Sequence, residues 1–146
     1  MGILFGASNL FAEKITQVRE DGSMSLESGK IISLAGIDLP PESMPLLSIL
    51  ITNKEVDVQE AKKVPKISDA EPVYLYVRAS ELEMPFKGAN PRDSRVLINR
   101  FLLEIGAATL QPGFIADKEV EFKDAEAGAR KRGEGVWSYE TAKTIL

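Results

Sequence analysis

The stretch Gly29-Lys-Ile-Ile-Ser-Leu-Ala-Gly-Ile-Asp-Leu-Pro-Pro-Glu42 sets the fold of this chain. Over residues 30–37, Ile32, Leu34 and Gly36 fall on one face of an extended segment. Ile31, Ser33, Ala35 and Ile37 fall on the other, and apolar residues on both faces predict a central, heavily buried strand. Pro40 and Pro41 end it, because neither can donate to a ladder. Glu42-Ser43 then opens a helix that tolerates Pro45 in its first turn. Leu46, Leu47, Ile49, Leu50 and Ile51 give that helix a wide apolar face, and Asn53 stops it.

Upstream, two further strands complete a meander over residues 12–39. The first carries Ile15 and Val18; Glu20-Asp21-Gly22-Ser23 is a tight turn, since Asp-Gly readily supplies positive φ. Met24 and Leu26 alternate in the second strand, and Ser28-Gly29 turns into the third. Downstream, residues 55–59 alternate cleanly as a fourth strand and residues 60–71 read as a polar loop around Val64-Pro65. In the fifth strand, residues 73–77, Val73, Leu75 and Val77 face one way and Tyr74 and Tyr76 the other. Ser94 is the expected cap of a second helix over residues 95–105, with Leu97, Ile98, Phe101, Leu102 and Ile105 buried, Arg100 and Glu104 paired outside, and Gly106 at its end. A third helix is expected over residues 117–132, acidic early and basic at Arg130, Lys131 and Arg132, as the helix dipole favours. Five strands with a helix after the third, then two helices, is the order of an OB-type barrel with helical decoration.

Composition sets the limits. The chain has 146 residues, enough for one domain with one core, here about residues 12–138 followed by a short tail. It contains no cysteine and no histidine, which excludes disulfides, thiol nucleophiles and the usual general base near neutral pH. The lack of cysteine fits the cytosol and oxidising compartments equally, so localisation stays open. The net charge of −4 argues against avid nucleic-acid binding, which draws its affinity from Lys and Arg on phosphates. The apolar opening, Ile3-Leu-Phe and Leu10-Phe11, is too short to span a bilayer and is a poor signal peptide. It reads as a first strand, or as a boundary left by removal of a leader.

Four blocks, Asp21-Gly22, Gly29 to Glu42, Val96-Leu-Ile-Asn99, and Glu126-Ala-Gly-Ala-Arg130 with Gly135-Val-Trp-Ser138, occur in an order that resembles the staphylococcal nuclease family. The resemblance spans roughly residues 12–138, and its most specific part is the Gly-x-Trp-Ser close of the last helix. It implies a β-barrel with helices, an α+β chain: an OB-fold, staphylococcal-nuclease-like five-stranded barrel with three helices. In that family one Ca²⁺ held by carboxylates, an acidic residue and two arginines cut DNA and RNA.

Position by position, most of that chemistry is missing here. Ser23 stands where the first metal carboxylate belongs, and Asp38 matches the second. Ser33 replaces the first arginine, Pro41 takes the place of the catalytic glutamate with Glu42 displaced by one, and Asp69-Ala70-Glu71-Pro72 contains no arginine where the second belongs. Serine cannot make the bidentate phosphate contacts of a guanidinium. Losing one charge-stabilising donor commonly costs ~10²–10³ in rate, so the expectation is no catalytic residue, no resident metal and no cofactor. Asp38 reads as a cap of the following turn or, with Glu42, as a weakened cation site.

The expected function is therefore a non-catalytic module that binds another protein. The alternatives are a divergent Ca²⁺-dependent nuclease using Asp38 and Glu42 with Arg92 or Arg95, and a single-strand binder stacking bases on Tyr74, Tyr76 or Phe86. Residues 79–94 look like an insertion relative to the family, and Leu82, Met84 and Phe86 alternate there as a candidate binding edge. On that reading Phe86→Ala leaves stability within ~0.5 kcal/mol of the wild type in a denaturant melt, as for ordinary surface changes. A loss of ~3 kcal/mol or more would instead make the segment a cover for the barrel.

Overall fold

The structure is a computed structural model that describes residues 10–62, 64–66, 69–82 and 95–138. It is an α+β protein built on β1 (Leu10–Val18), β2 (Met24–Leu26), β3 (Ile31–Leu34), β4 (Ile37–Asp38), β5 (Glu55–Glu60), β6 (Glu71–Arg78), β7 (Arg95–Leu97) and β8 (Thr109–Leu110). The helices are α1 (Met44–Ile51), α2 (Ile98–Glu104) and α3 (Glu119–Arg132), with a 3-10 turn at Pro41–Ser43 ahead of α1. Six strands form one sheet in the order β3-β2-β1-β5-β6-β7, and a further pairing of β3 with β6 closes five of them into a near-barrel. That closing pair is parallel, and every other pair is antiparallel.

The long β1 makes the ring possible. Residues Leu10 to Lys14 pair with β5, while Ile15, Gln17 and Val18 pair with β2, with a register irregularity between Ile15 and Gln17. A bulge of this kind bends a strand and increases its twist, so one strand can serve two neighbours in a curved sheet. Inward-facing Ile15, Met24, Leu26, Ile32, Val56, Val58, Val73, Leu75 and Val77 are all at most 2% exposed. They form one core with Leu47, Leu50 and Ile51 of α1 and with Ile98 and Leu102 of α2. Tyr74, on the outward face of β6, packs edge-on against Phe122 of α3 at 5.9 Å between ring centres.

Three expected elements differ. The third strand stops at Leu34, because Gly36 adopts φ +81° and turns the chain into β4, which pairs with β8 instead. Only glycine fits there: a Cβ would lie 2.9 Å from Phe114 and 3.0 Å from Phe122, two stacked rings 5.5 Å apart. Residues 95–97, expected in a helix, form β7 against β6, with Val96 opposite Val77 and Arg95 ion-paired to Asp57 at 3.0 Å. β7 is thus a sixth strand beside the expected five, and α2 starts only at Ile98. α3 starts at Glu119 rather than Asp117, whose carboxylate accepts a 3.0 Å bond from the Tyr74 hydroxyl. Burial and that bond push the Tyr74 phenol well above its ordinary range. The expected Arg100–Glu104 pair is present at 3.2 Å and extends to Glu121 at 3.1 Å.

One buried side chain joins the pieces. Asn99 is 0% exposed; its Oδ1 accepts from Leu75 N at 3.0 Å, and its Nδ2 donates to Ala35 O and Val73 O, both at 3.0 Å. Along one edge of β6, residues Glu71, Pro72 and Val73 pair with β3, and Tyr76, Val77 and Arg78 pair with β7. Asn99 fills the gap between them. In Asn99→Ala, Val73 O still accepts from Ala35 N, but Leu75 N and Ala35 O lose their side-chain partner. At ~1–3 kcal/mol per orphaned buried group, the substitution costs about 3 kcal/mol in a denaturant melt.

Candidate functional site

The positions that the resemblance singles out lie in the β1–β2 turn, on β3, on β4, in the 3-10 turn ahead of α1 and at the start of β6. The β1–β2 turn abuts the start of α1, since a Cβ on Gly22 would lie 3.2 Å from Met44 Cε. Within this turn Ser23, 4% exposed, donates its hydroxyl to Asp21 Oδ1 at 2.6 Å and its backbone N–H to the same oxygen at 2.9 Å. Those two bonds, hydroxyl first, hold the Asp21 carboxyl below its ordinary 3.8, with a smaller favourable contribution from the Arg19 charge. Ser23 is therefore engaged in its own turn.

Asp38 is exposed on β4 opposite Thr109, and Glu42 is exposed in the 3-10 turn that Pro41 begins. The N-cap position of that turn is held by Pro40, and no hydrogen bond between it and Asp38 is seen among the described residues. Ser33 is half-buried on β3 opposite Pro72 of β6. Of residues 69–72, Asp69 is exposed, Ala70 and Pro72 are buried, and Glu71 faces Lys66 across 4.0 Å, a weak surface pair. Among the described residues no group of three or more His, Cys, Asp or Glu is placed to hold a metal ion. Asp38, Glu42 and Asp69 are exposed carboxylates, and no guanidinium stands at the positions the resemblance singles out.

Of the expected binding edge, Leu82 alone lies within the described residues. Leu82 is 7% exposed and belongs to the core, its N–H donating to Ala79 O after a 3-10 turn at Ala79–Glu81. It is a core residue, because that turn brings the chain back over the sheet. Met84, Phe86 and Arg92 lie outside the described residues. Tyr74 is 1% exposed and presents no free ring face, while Tyr76 is half-buried and donates its hydroxyl to Gln59 at 3.2 Å. Arg95 is held by Asp57.

Two surface grooves are lined by described residues. A smaller one, about 260 Å³, lies between Val64-Pro65 and the run Gln111 to Ile115. A larger one, about 620 Å³, is lined by Glu42, Leu46, Ile105 and Val136 around Gly106 and Gly135. The second exists because those glycines touch backbone to backbone: a Cβ on either would lie 2.1 Å from a carbonyl oxygen of the other segment. Both have positive φ, and Val136 N donates to Gly106 O at 2.8 Å. Sequence reading marked both glycines but assigned Leu46 and Ile105 to buried helix faces. Nothing in their spacing shows that α1, α2 and the chain after α3 would frame a groove. The basic end of α3 is structural: Arg130 sits over the Trp137 ring at 4.5 Å, and Arg132 donates to Glu104 O at 2.8 Å and pairs with Glu134.

A scan of protein-family models gives no match to the chain, and a search of curated proteins gives none either.

The Asp21–Ser23 turn makes a measurable prediction. Ser23→Ala removes the hydroxyl donor, so the Asp21 carboxyl should titrate closer to its ordinary 3.8 in a carbon-detected NMR titration. Because the folded value is depressed, its stabilisation is present above pH about 4 and is lost as pH falls through the folded value. The variant should therefore lose stability near neutrality relative to wild type, and the two should converge in strong acid.

Proposed function

We propose that this chain is a staphylococcal-nuclease-like OB-fold module that keeps the family's scaffold without its chemistry and binds another protein. The observation that carries this reading is what fills the positions that the resemblance singles out. Ser23, in place of a carboxylate, spends its hydroxyl on Asp21, and Pro41 starts the turn where a glutamate would act. A hard cation wants several anionic oxygens, and phosphoryl charge wants guanidinium clamps. Neither set is assembled among the described residues.

The five-strand ring supports the OB-type assignment, since a five-stranded, partly open barrel is that architecture. The matched scaffold residues have structural work that explains their presence: Gly36 under the Phe114–Phe122 stack, Asn99 in the β6 gap, and Gly106 against Gly135. The acidic balance and the burial of Tyr74 favour a protein over single-stranded nucleic acid as partner. The divergent-nuclease reading keeps one supporting observation, the pair of exposed carboxylates on Asp38 and Glu42.

An assay on DNA and RNA with millimolar Ca²⁺ decides between them. The expected outcome is no turnover above background and no Ca²⁺-dependent rise in melting temperature. Turnover that disappears in both Asp38→Ala and Glu42→Ala would overturn the proposal and make those carboxylates a rebuilt site.

A further inference from the structure

The larger groove has a chemistry of its own. Its floor is the turn from Ile105 to Ala107, held on three sides. Ser43 Oγ donates to Ala107 O at 2.6 Å, Val136 N donates to Gly106 O, and β8 comes at once to pair with β4. A floor fixed this way is preformed, so a ligand need not order it. Leu46, Ile105 and Val136 line it and are half-buried, leaving apolar surface open to an incoming side chain.

Its one charged lining residue is Glu42, which is exposed and forms no ion pair among the described residues. Asp38 lies close by, since its partner Thr109 is two residues beyond Ala107. Of the cations on the same elements, Lys131 is exposed, Arg130 lies over the Trp137 ring, and two more arginines are paired. Arg132 is paired with Glu134 and bonded to Glu104 O, and Arg100 is paired with Glu104 and Glu121. The charge that lines the groove among the described residues is thus negative, beside an apolar floor.

We infer that this groove takes a protein segment carrying an aliphatic side chain next to a Lys or Arg. The aliphatic group covers Leu46, Ile105 and Val136, and the cation faces Glu42 and Asp38. Complementary charge of this kind selects partner and register more than it adds affinity. The same carboxylates repel a phosphate backbone. This inference rests on the binding-module reading and names the surface and partner chemistry of that module.

Selection of phage-displayed random dodecapeptides on the intact chain tests it, with the enriched peptide then titrated by amide chemical shift. Enriched peptides should place a basic residue beside an aliphatic one and shift the amides of Ile105, Gly106, Ala107 and Val136. The double variant Asp38→Lys/Glu42→Lys should weaken binding about tenfold, and Asp38→Asn/Glu42→Gln by less. Both positions are exposed, and an unshifted Leu75 amide reports that the barrel is intact. Peptides without a basic bias, indifference to charge reversal, or shifts at the Val64–Pro65 groove would overturn this inference while leaving the binding-module reading in place. No enrichment together with binding of a single-stranded oligonucleotide would overturn both.

Discussion

The amide of Asn99 stands in for a strand. β6 needs partners on both edges, and one of those edges is shared between β3 and β7, which approach from different parts of the chain. Where β3 turns away after Leu34, Leu75 N and Ala35 O would face the interior unsatisfied, and buried backbone groups are rarely left so. A side-chain amide carries both an acceptor and two donors, so one residue satisfies both sides of the gap. Aspartate lacks the donors, and leucine lacks everything but volume. Barrel closure, the break at Gly36 and the placement of α2 all meet at this residue.

Around it, the fold depends on places where backbone must approach without a side chain between. Gly36 lets two phenylalanine rings lie directly over the turn, and Gly106 with Gly135 lets the end of α2 meet the chain leaving α3. Arg130 over Trp137, and Ser138 Oγ donating to Gly135 O at 2.8 Å, fix the segment beyond α3 against that junction. These contacts give Gly135-Val-Trp-Ser138 a structural role of its own. Scaffold and chemistry are separable because they rest on different atoms.

At the β1–β2 turn, Ser23 donates to Asp21 two residues earlier and closes the turn on itself. Glu42 is exposed at the groove framed by α1, the end of α2 and the chain after α3.

Residue order alone left out β8 and the break before β4, but it specified five of the strands, the order of the three helices, the turns at Asp21-Gly22 and Ser28-Gly29, the stop at Asn53 and the dipole arrangement of α3. These are local: period, proline, glycine and charge act within a few residues. Long-range packing was needed to place Arg95, Val96 and Leu97 in the sheet, since only the open edge of β6 outweighs their helical spacing. It also made Leu82 core, since alternation alone leaves exposure open. The groove beside Glu42 was likewise invisible, its lining drawn from three segments more than 25 residues apart in sequence, brought together by two glycines whose contact is long-range.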